Sequence, residues 1–330
     1  MASVHFVNVA PGDCTIIRHW SDRVSMIDIC DGNIEPPSLL LKALREAAET
    51  QRPRGNFRMC EEPTNPIDYA RSLGITNIWR FILTHPDMDH MDGFKRVGDR
   101  LGIANFWDSG ARKSAKPDFE GSPYREEDWD TYVAVRDGKT STLSGLRAEG
   151  DKFQFANMDE KGGSGDGLSI LAPSRELLVD IDEDDDLNDA SYILLYRSSG
   201  GKVLLPGDAH DAAWEHVLAS HRSDVSNCSV LMAPHHGRDS DRSYDFLDVV
   251  RPKLTIIGCA PSEQIDYDQW HRRDLDFVTS NQAGNVVLEI DSGHIDVYVE
   301  NEAFAIKRGD NHKVKNKQGY SGLIRIPEPK

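Results

Sequence analysis

Residues 81–93 constrain this chain more than any other stretch. They read Phe81-Ile82-Leu83-Thr84-His85-Pro86-Asp87-Met88-Asp89-His90-Met91-Asp92-Gly93. An apolar run stops abruptly at a polar cluster, the pattern of a short buried strand that ends in a loop. Two imidazoles, His85 and His90, and two carboxylates, Asp87 and Asp89, fall within six residues. Mixed nitrogen and oxygen donors at that density suit one or two borderline divalent ions such as zinc or manganese. The competing reading is an acidic, solvated loop with two surface histidines. It weakens because a strand running into potential ligands recurs twice downstream.

The first recurrence follows a hairpin. Ser191–Tyr196 and Lys202–Leu205 read as its strands, with Ser198-Ser199-Gly200-Gly201 as the turn. The second strand runs into Pro206-Gly207-Asp208-Ala209. A carboxylate placed by a glycine at the end of a buried strand is well set to bridge two cations. The second recurrence is Val230-Leu231-Met232-Ala233-Pro234-His235-His236-Gly237, again a strand ending in ligands. From the residues alone, either His235 or His236 can be the metal-binding member.

The remaining elements surround these three motifs. Strands are expected at 4–9, 14–18 and 24–29, with Ala10-Pro11-Gly12-Asp13 as a turn. Helices are expected over 38–50, 65–74, 94–101 and 212–220. Further strands are expected at 105–110, 168–172, 254–259, 286–290 and 295–299. From about 110 to 165 periodicity fades, and Trp129 and Tyr132 lie among many charges. That stretch reads as an inserted loop or small subdomain over the site. Residues 180–189 form an acidic tract, a solvated face unless Asn188 or Asp189 reaches the metals. Residues 307–330 carry seven Lys or Arg against two acids and read as a disordered or docking tail.

Composition bounds the partners. The 330 residues carry a formal net charge of −17, which opposes broad nonspecific binding to nucleic acid but leaves room for a local basic groove. No apolar run approaches the roughly 20 residues that cross a bilayer, so no membrane partner is expected. The N-terminus shows no basic segment followed by an apolar core, as a signal peptide would. Five scattered cysteines without a Cys-x-x-Cys pair read as reduced thiols, and the expected location is cytoplasmic.

His85-x-Asp87-x-Asp89-His90 followed by glycine resembles the metal motif of the metallo-β-lactamase superfamily, commonly His-x-His-x-Asp-His. Asp87 stands where a histidine is usual. That exchange is similar to the ComEC-like branch, the hydrolase domain of a DNA-uptake competence protein. Asn188 and Ser191 match an Asn and a Ser of that branch, where other members carry a histidine. The resemblance covers roughly residues 4–300. It implies an α/β chain folded as a four-layer αββα metallo-β-lactamase sandwich with inserted loops or a subdomain. The hydrolase domain would span 1–306, with insertions at about 33–75 and 110–165, before the basic tail at 307–330. The resemblance further implies that Asp208 bridges two metals. It implies that one of His235 and His236 binds metal while its neighbour faces substrate. Asp28, in Ile27-Asp28, would orient a metal-binding histidine, with Asp31 as the alternative for that role. His271 is a looser match to a substrate-facing histidine.

The expected centre therefore gives His85 and Asp87 to one ion and Asp89, His90 and His235 or His236 to the other. Two cations a few ångströms apart can hold a phosphate oxygen and a hydroxide between them, with the pKa of water lowered from 15.7 toward about 7. The free member of the His235/His236 pair is the candidate proton donor to the leaving group. Asp89, His235 and His236 are the expected catalytic residues. The first ion's oxygen-rich set predicts weak zinc retention and a preference for manganese or magnesium. Hydrolysis of a phosphodiester, with nucleic acid or a nucleotide as substrate, is the leading expectation. The alternatives are hydrolysis of a small ester, thioester, lactam or cyclic nucleotide, and a metal-binding regulatory module without catalysis.

Overall fold

Strands that are apolar on both sides must be covered on both faces, and this chain satisfies that need with two stacked sheets and helices outside each. The computed structural model describes residues 1–9, 11–30, 57–113, 115–158, 165–181, 187–308 and 312–328. The first sheet has nine strands. They are β1 (Ala2–Phe6), β2 (Thr15–Arg18), β3 (Val24–Ile27), β4 (Ile78–Ile82), β5 (Ile103–Asp108), β6 (Leu143–Leu146), β13 (Val286–Asp291), β14 (His294–Val299) and β15 (Ser321–Pro327). Their order is β15-β14-β13-β1-β2-β3-β4-β5-β6. The second sheet has six: β7 (Leu168–Ala172), β8 (Ile193–Ser198), β9 (Gly201–Leu205), β10 (Val230–Met232), β11 (Leu254–Ile257) and β12 (Phe277–Thr279). Its order is β12-β11-β10-β9-β8-β7.

The two-residue period of a strand sorts the side chains into layers. Ile17 and Ile82 of the first sheet meet Leu194, Val203, Met232 and Ile256 of the second in the core between the sheets. Their neighbours Ile16 and Phe81 point outward onto Ile67, Phe94 and Val97 of helices Pro66–Ser72 and Phe94–Leu101. On the far side, Ile193, Leu195, Leu204 and Leu231 meet Trp214 and Val217 of helix Asp211–Ser220 and Phe246 and Leu247 beyond it. Helix, sheet, sheet and helix make the four αββα layers. Each fully buried Ile or Phe in these layers contributes roughly 1.5–3 kcal/mol of transfer free energy.

Two expectations change. The stretch from 110 to 165 is tied into the first sheet: Glu126–Arg136 is a helix and β6 pairs parallel with β5. Trp129, Tyr132 and Val135 recur at helical spacing and are buried, a face that the surrounding charges mask in the sequence. The basic segment does not hang free as a whole, since β15 extends the first sheet against β14. Leu323 and Ile326 are buried there, and Arg325 makes two hydrogen bonds to Asp296. The helix expected at 38–50 and the core of the acidic tract, 182–186, lie outside the described residues. Among the described residues no helix is long and apolar enough to cross a membrane.

Candidate metal centre

The three ligand-bearing motifs meet at one end of the sandwich. β3 and β4 run parallel, as do β9, β10 and β11, so their C-terminal ends face the same way. Asp28 follows β3, His85 to His90 follow β4, Asp208 follows β9, and His235 and His236 follow β10. Two backbone hydrogen bonds join the motifs. Tyr192 N donates to Thr84 O at 3.1 Å, and His235 N donates to Gly207 O at 3.0 Å. Gly207 has φ +52°, and a Cβ there would lie 2.8 Å from Thr84 Cβ, so glycine is what lets the two sheets' motifs approach.

Asp28 orients the first histidine. One carboxylate oxygen accepts from Thr84 N at 2.8 Å; the other accepts from Thr84 Oγ1 at 2.7 Å and pairs with His90 Nδ1 at 2.8 Å. His90 Nε2 is thereby turned into the centre. Asp13 does the same for the second: its Oδ1 lies 3.2 Å from His236 Nδ1. Gly12 makes that possible, since a Cβ at its φ of +141° would sit 2.2 Å from Asp89 O. Carboxylate-backed histidines of this kind fix the ring and the free nitrogen of a metal ligand.

The free atoms then converge. His90 Nε2 is 3.3 Å from Asp208 Oδ1 and 4.0 Å from Asp89 Oδ2. His236 Nε2 is 3.7 Å from both Asp89 Oδ2 and Asp208 Oδ2. His85, His90 and Asp208 bring ligand atoms within 4.8 Å of one another, as do Asp89, His90 and His236. His90 Nε2, His236 Nε2 and Asp208 Oδ1 are buried and have no hydrogen-bond partner. Donors about 2.0–2.2 Å from a shared cation lie about 3.3 Å or more from each other, which is the spacing seen. The residues present therefore fit divalent cations.

Charge favours the same conclusion. Burial would lower the pKa of His90, but Asp208, Asp28 and Asp89 outweigh it and hold it well above the ordinary value. Burial likewise opposes protonation of His236, yet Asp13 and Asp208 push it up to about 10. Burial works against ionised Asp208, and His90 and His236 hold it well below the usual carboxylate range. Asp89 is depressed by His90 and His236 against the same burial. Protons on two imidazoles balance the carboxylates here, a role that divalent cations take over when they bind.

The two adjacent histidines differ. His236 is fully buried in the cluster. His235 is 18% exposed, with Nε2 3.7 Å from Asp208 Oδ2 and Nδ1 3.0 Å from His210 Nε2. Burial, His236 and Arg242 push His235 down to about 4 despite Asp208. Both adopt left-handed backbone, φ 51° and 55°, a conformation that costs of order 1 kcal/mol or more and persists at functional sites.

Other expected residues fall in different places. Asp87 lies at the rim, 3.8 Å from His85 Nε2, and its other oxygen meets Lys113 Nζ at 2.8 Å. His85 groups with His90 and with Asp208, the carboxylate expected to bridge the two ions. Ser191 is buried beside the centre, its N donating to Asn188 O at 3.0 Å. Asp189 accepts from Ala213 N in the first turn of helix Asp211–Ser220. His271 is exposed and packs on Phe277, 5.3 Å between ring centroids, outside the ligand groups around His90. Asp31 lies outside the described residues. In the sequence Asp13 was legible only as the last residue of the Ala10-Pro11-Gly12-Asp13 turn. Thr84, Lys113 and His210 had no separate signal.

No family model and no curated protein matches the sequence. Solved structures with similar folds include Igni18, a metallo hydrolase from Ignicoccus hospitalis. It is 13% identical, with 88% of this chain and 100% of that chain covered and a TM-score of 0.46. YhfI, a metallo-β-lactamase fold protein from Bacillus subtilis, is 9% identical with 88% and 100% covered and a TM-score of 0.43. CmlA, a diiron β-hydroxylase from Streptomyces venezuelae, is 13% identical with a TM-score of 0.46; 88% of this chain matches 54% of that one. Likenesses this distant say nothing of metal or substrate in this chain.

Proposed function

We propose that this chain is a metal-dependent hydrolase acting on phosphodiesters, with nucleic acid or a nucleotide as substrate. The observation that carries the reading is the buried trio of unpartnered atoms on His90, His236 and Asp208. Two divalent cations held there, by His85, Asp89, His90, Asp208 and His236 with Asp87 at the rim, would acidify a water and neutralise charge on the scissile phosphate. Asp13 and Asp28 hold His236 and His90 in register. His235 enters the reaction neutral, so it accepts a proton or a hydrogen bond, and His210 lies behind its Nδ1 to pass that proton on. The free member of the His235/His236 pair was the expected acid to the leaving group, and the lowered pKa of His235 favours a part as acceptor for it. Lys113 places an ammonium at the rim, where it can meet a phosphate oxygen. Three carboxylates, Asp87, Asp89 and Asp208, against three imidazoles give this centre more oxygen donors than the common motif supplies, which favours manganese or magnesium at the more exposed position, beside Asp87.

The phosphodiester class follows from this chemistry together with the ComEC-like motif. The net charge of −17 favours a short substrate over a long duplex. Cleavage of single-stranded DNA, double-stranded DNA, RNA, cyclic dinucleotides and bis-p-nitrophenyl phosphate with Mn²⁺, Mg²⁺ or Zn²⁺ tests the reading. Metal-dependent turnover that is lost in Asp89→Ala/His90→Ala supports it. Turnover of a carboxylic ester, thioester or lactam alone overturns the phosphodiester part. Bound metal without turnover of any substrate returns the chain to a regulatory module.

A further inference from the structure

A second group of metal-ligating side chains lies outside the centre. Glu149 follows β6, His216 sits on helix Asp211–Ser220, and His221 ends that helix. Each offers a ligand atom, and the three atoms lie within 4.8 Å of one another. All three residues are half-buried. Such a set of two imidazoles and one carboxylate is a zinc donor set, with water free to complete a tetrahedron.

Two further observations point to an ion, and a third shows the loop held in place. His216 Nε2 is buried and has no hydrogen-bond partner. His221 is held from behind: its Nδ1 meets Asp224 Oδ2 at 3.2 Å, which leaves Nε2 facing Glu149 Oε1 at 2.8 Å. A carboxylate behind one ring nitrogen and a ligand position before the other is how metal-binding histidines are oriented. Glu149 is anchored too, since its N donates to Pro173 O at 2.8 Å. Donors around a zinc ion stand about 3.3 Å apart, so Glu149 and His221 need to open by about half an ångström to admit one.

We propose that Glu149, His216 and His221 form a separate zinc site, with Asp224 as the residue that positions His221. The site ties the loop after β6 to the helix that starts three residues beyond Asp208. Zinc there clamps the element that follows the central carboxylate, without touching the centre itself. The site stands whether or not the chain hydrolyses phosphodiesters, because it shares no residue with the centre.

Equilibrium dialysis of chelator-stripped protein against Zn²⁺, with bound metal counted by mass spectrometry, tests it. His216→Ala should bind one equivalent less than wild type. The Asp89→Ala/His90→Ala/Asp208→Ala variant should keep one equivalent, and adding His216→Ala should remove it. Asp224→Asn should weaken that equivalent by about 10- to 100-fold. Glu149→Gln preserves shape and guards against misfolding: a folded Glu149→Gln protein, judged by far-ultraviolet circular dichroism, should also bind at least tenfold more weakly. Undiminished zinc binding by both His216→Ala and Glu149→Gln overturns the site. So does a centre-less variant that folds and binds no zinc.

Discussion

Strand β4 carries two buried charge clusters, and they are built on opposite principles. Arg80, on the strand, is closed. Its guanidinium donates to Ser25 Oγ and Phe155 O and pairs with Asp166 at 3.0 Å. Asp166 also takes Arg23 and Ser21. The cluster after the strand end, from His85 to His90, is open: it orients its histidines with Asp28 and Asp13, then leaves nitrogens and a carboxylate oxygen without partners. A buried polar group without a partner costs about 1–3 kcal/mol, more when charged. A chain tolerates that where a ligand supplies what is missing. The closed cluster holds the fold together; the open one is set up to bind.

The largest expected effect breaks the closed side. Asp166→Ala strands the Arg80 guanidinium, whose side chain is 2% exposed, and should cost about 3–5 kcal/mol in urea unfolding. Asp208→Ala should cost much less stability in metal-stripped protein and should remove hydrolysis. Equal stability losses from the two would erase the distinction.

The supports of the open side come next. Asp13→Asn and Asp28→Asn should each weaken metal binding by about 10- to 100-fold with little change of fold, measured by titration with a metal-sensitive dye. Unchanged affinity would mean that the two carboxylates merely pack.

Acid and base then separate the clusters further. In metal-stripped protein His236 is raised from an ordinary 6.5 to about 10. Its contribution to stability is full below pH 6.5 and fades as the pH rises through about 10. Asp166, with its pKa depressed by Arg23, His19 and Arg80 against burial, contributes above its ordinary value and loses that contribution as the pH falls through the depressed one. Urea unfolding of wild type and His236→Gln from pH 6 to 10 should show a gap that closes toward the alkaline end. A constant gap would contradict the charge balance described for the centre.

The smallest effect is at the rim. Lys113 is 31% exposed, so Lys113→Ala should change stability by no more than about 1 kcal/mol. It should raise KM for an anionic substrate more than it changes kcat.

Much of this was legible in the sequence because each ligand motif follows a strand whose apolar run is unmistakable. Phe81–Leu83, Leu204–Leu205 and Val230–Met232 announced where His85–His90, Asp208 and His235-His236 would stand. The choice between His235 and His236 was not legible, because it depends on Asp13, 223 residues away, reaching His236 Nδ1. Lys113 was invisible for the same reason, since its partner Asp87 lies across a loop. Trp129 and Tyr132 were hidden by charges on the outer face of their own helix, and β15 by lysines in the segment before it. Local pattern showed which residues end strands; only the pairing of distant strands showed which nitrogen each carboxylate would turn.

The most direct test of the account is hydrolysis of bis-p-nitrophenyl phosphate by chelator-stripped wild type and Asp208→Asn, before and after Mn²⁺ or Zn²⁺ is restored. The account predicts no turnover by either stripped protein, recovery by wild type on adding metal, and none by Asp208→Asn. Turnover by stripped wild type, or full recovery by Asp208→Asn, would contradict it.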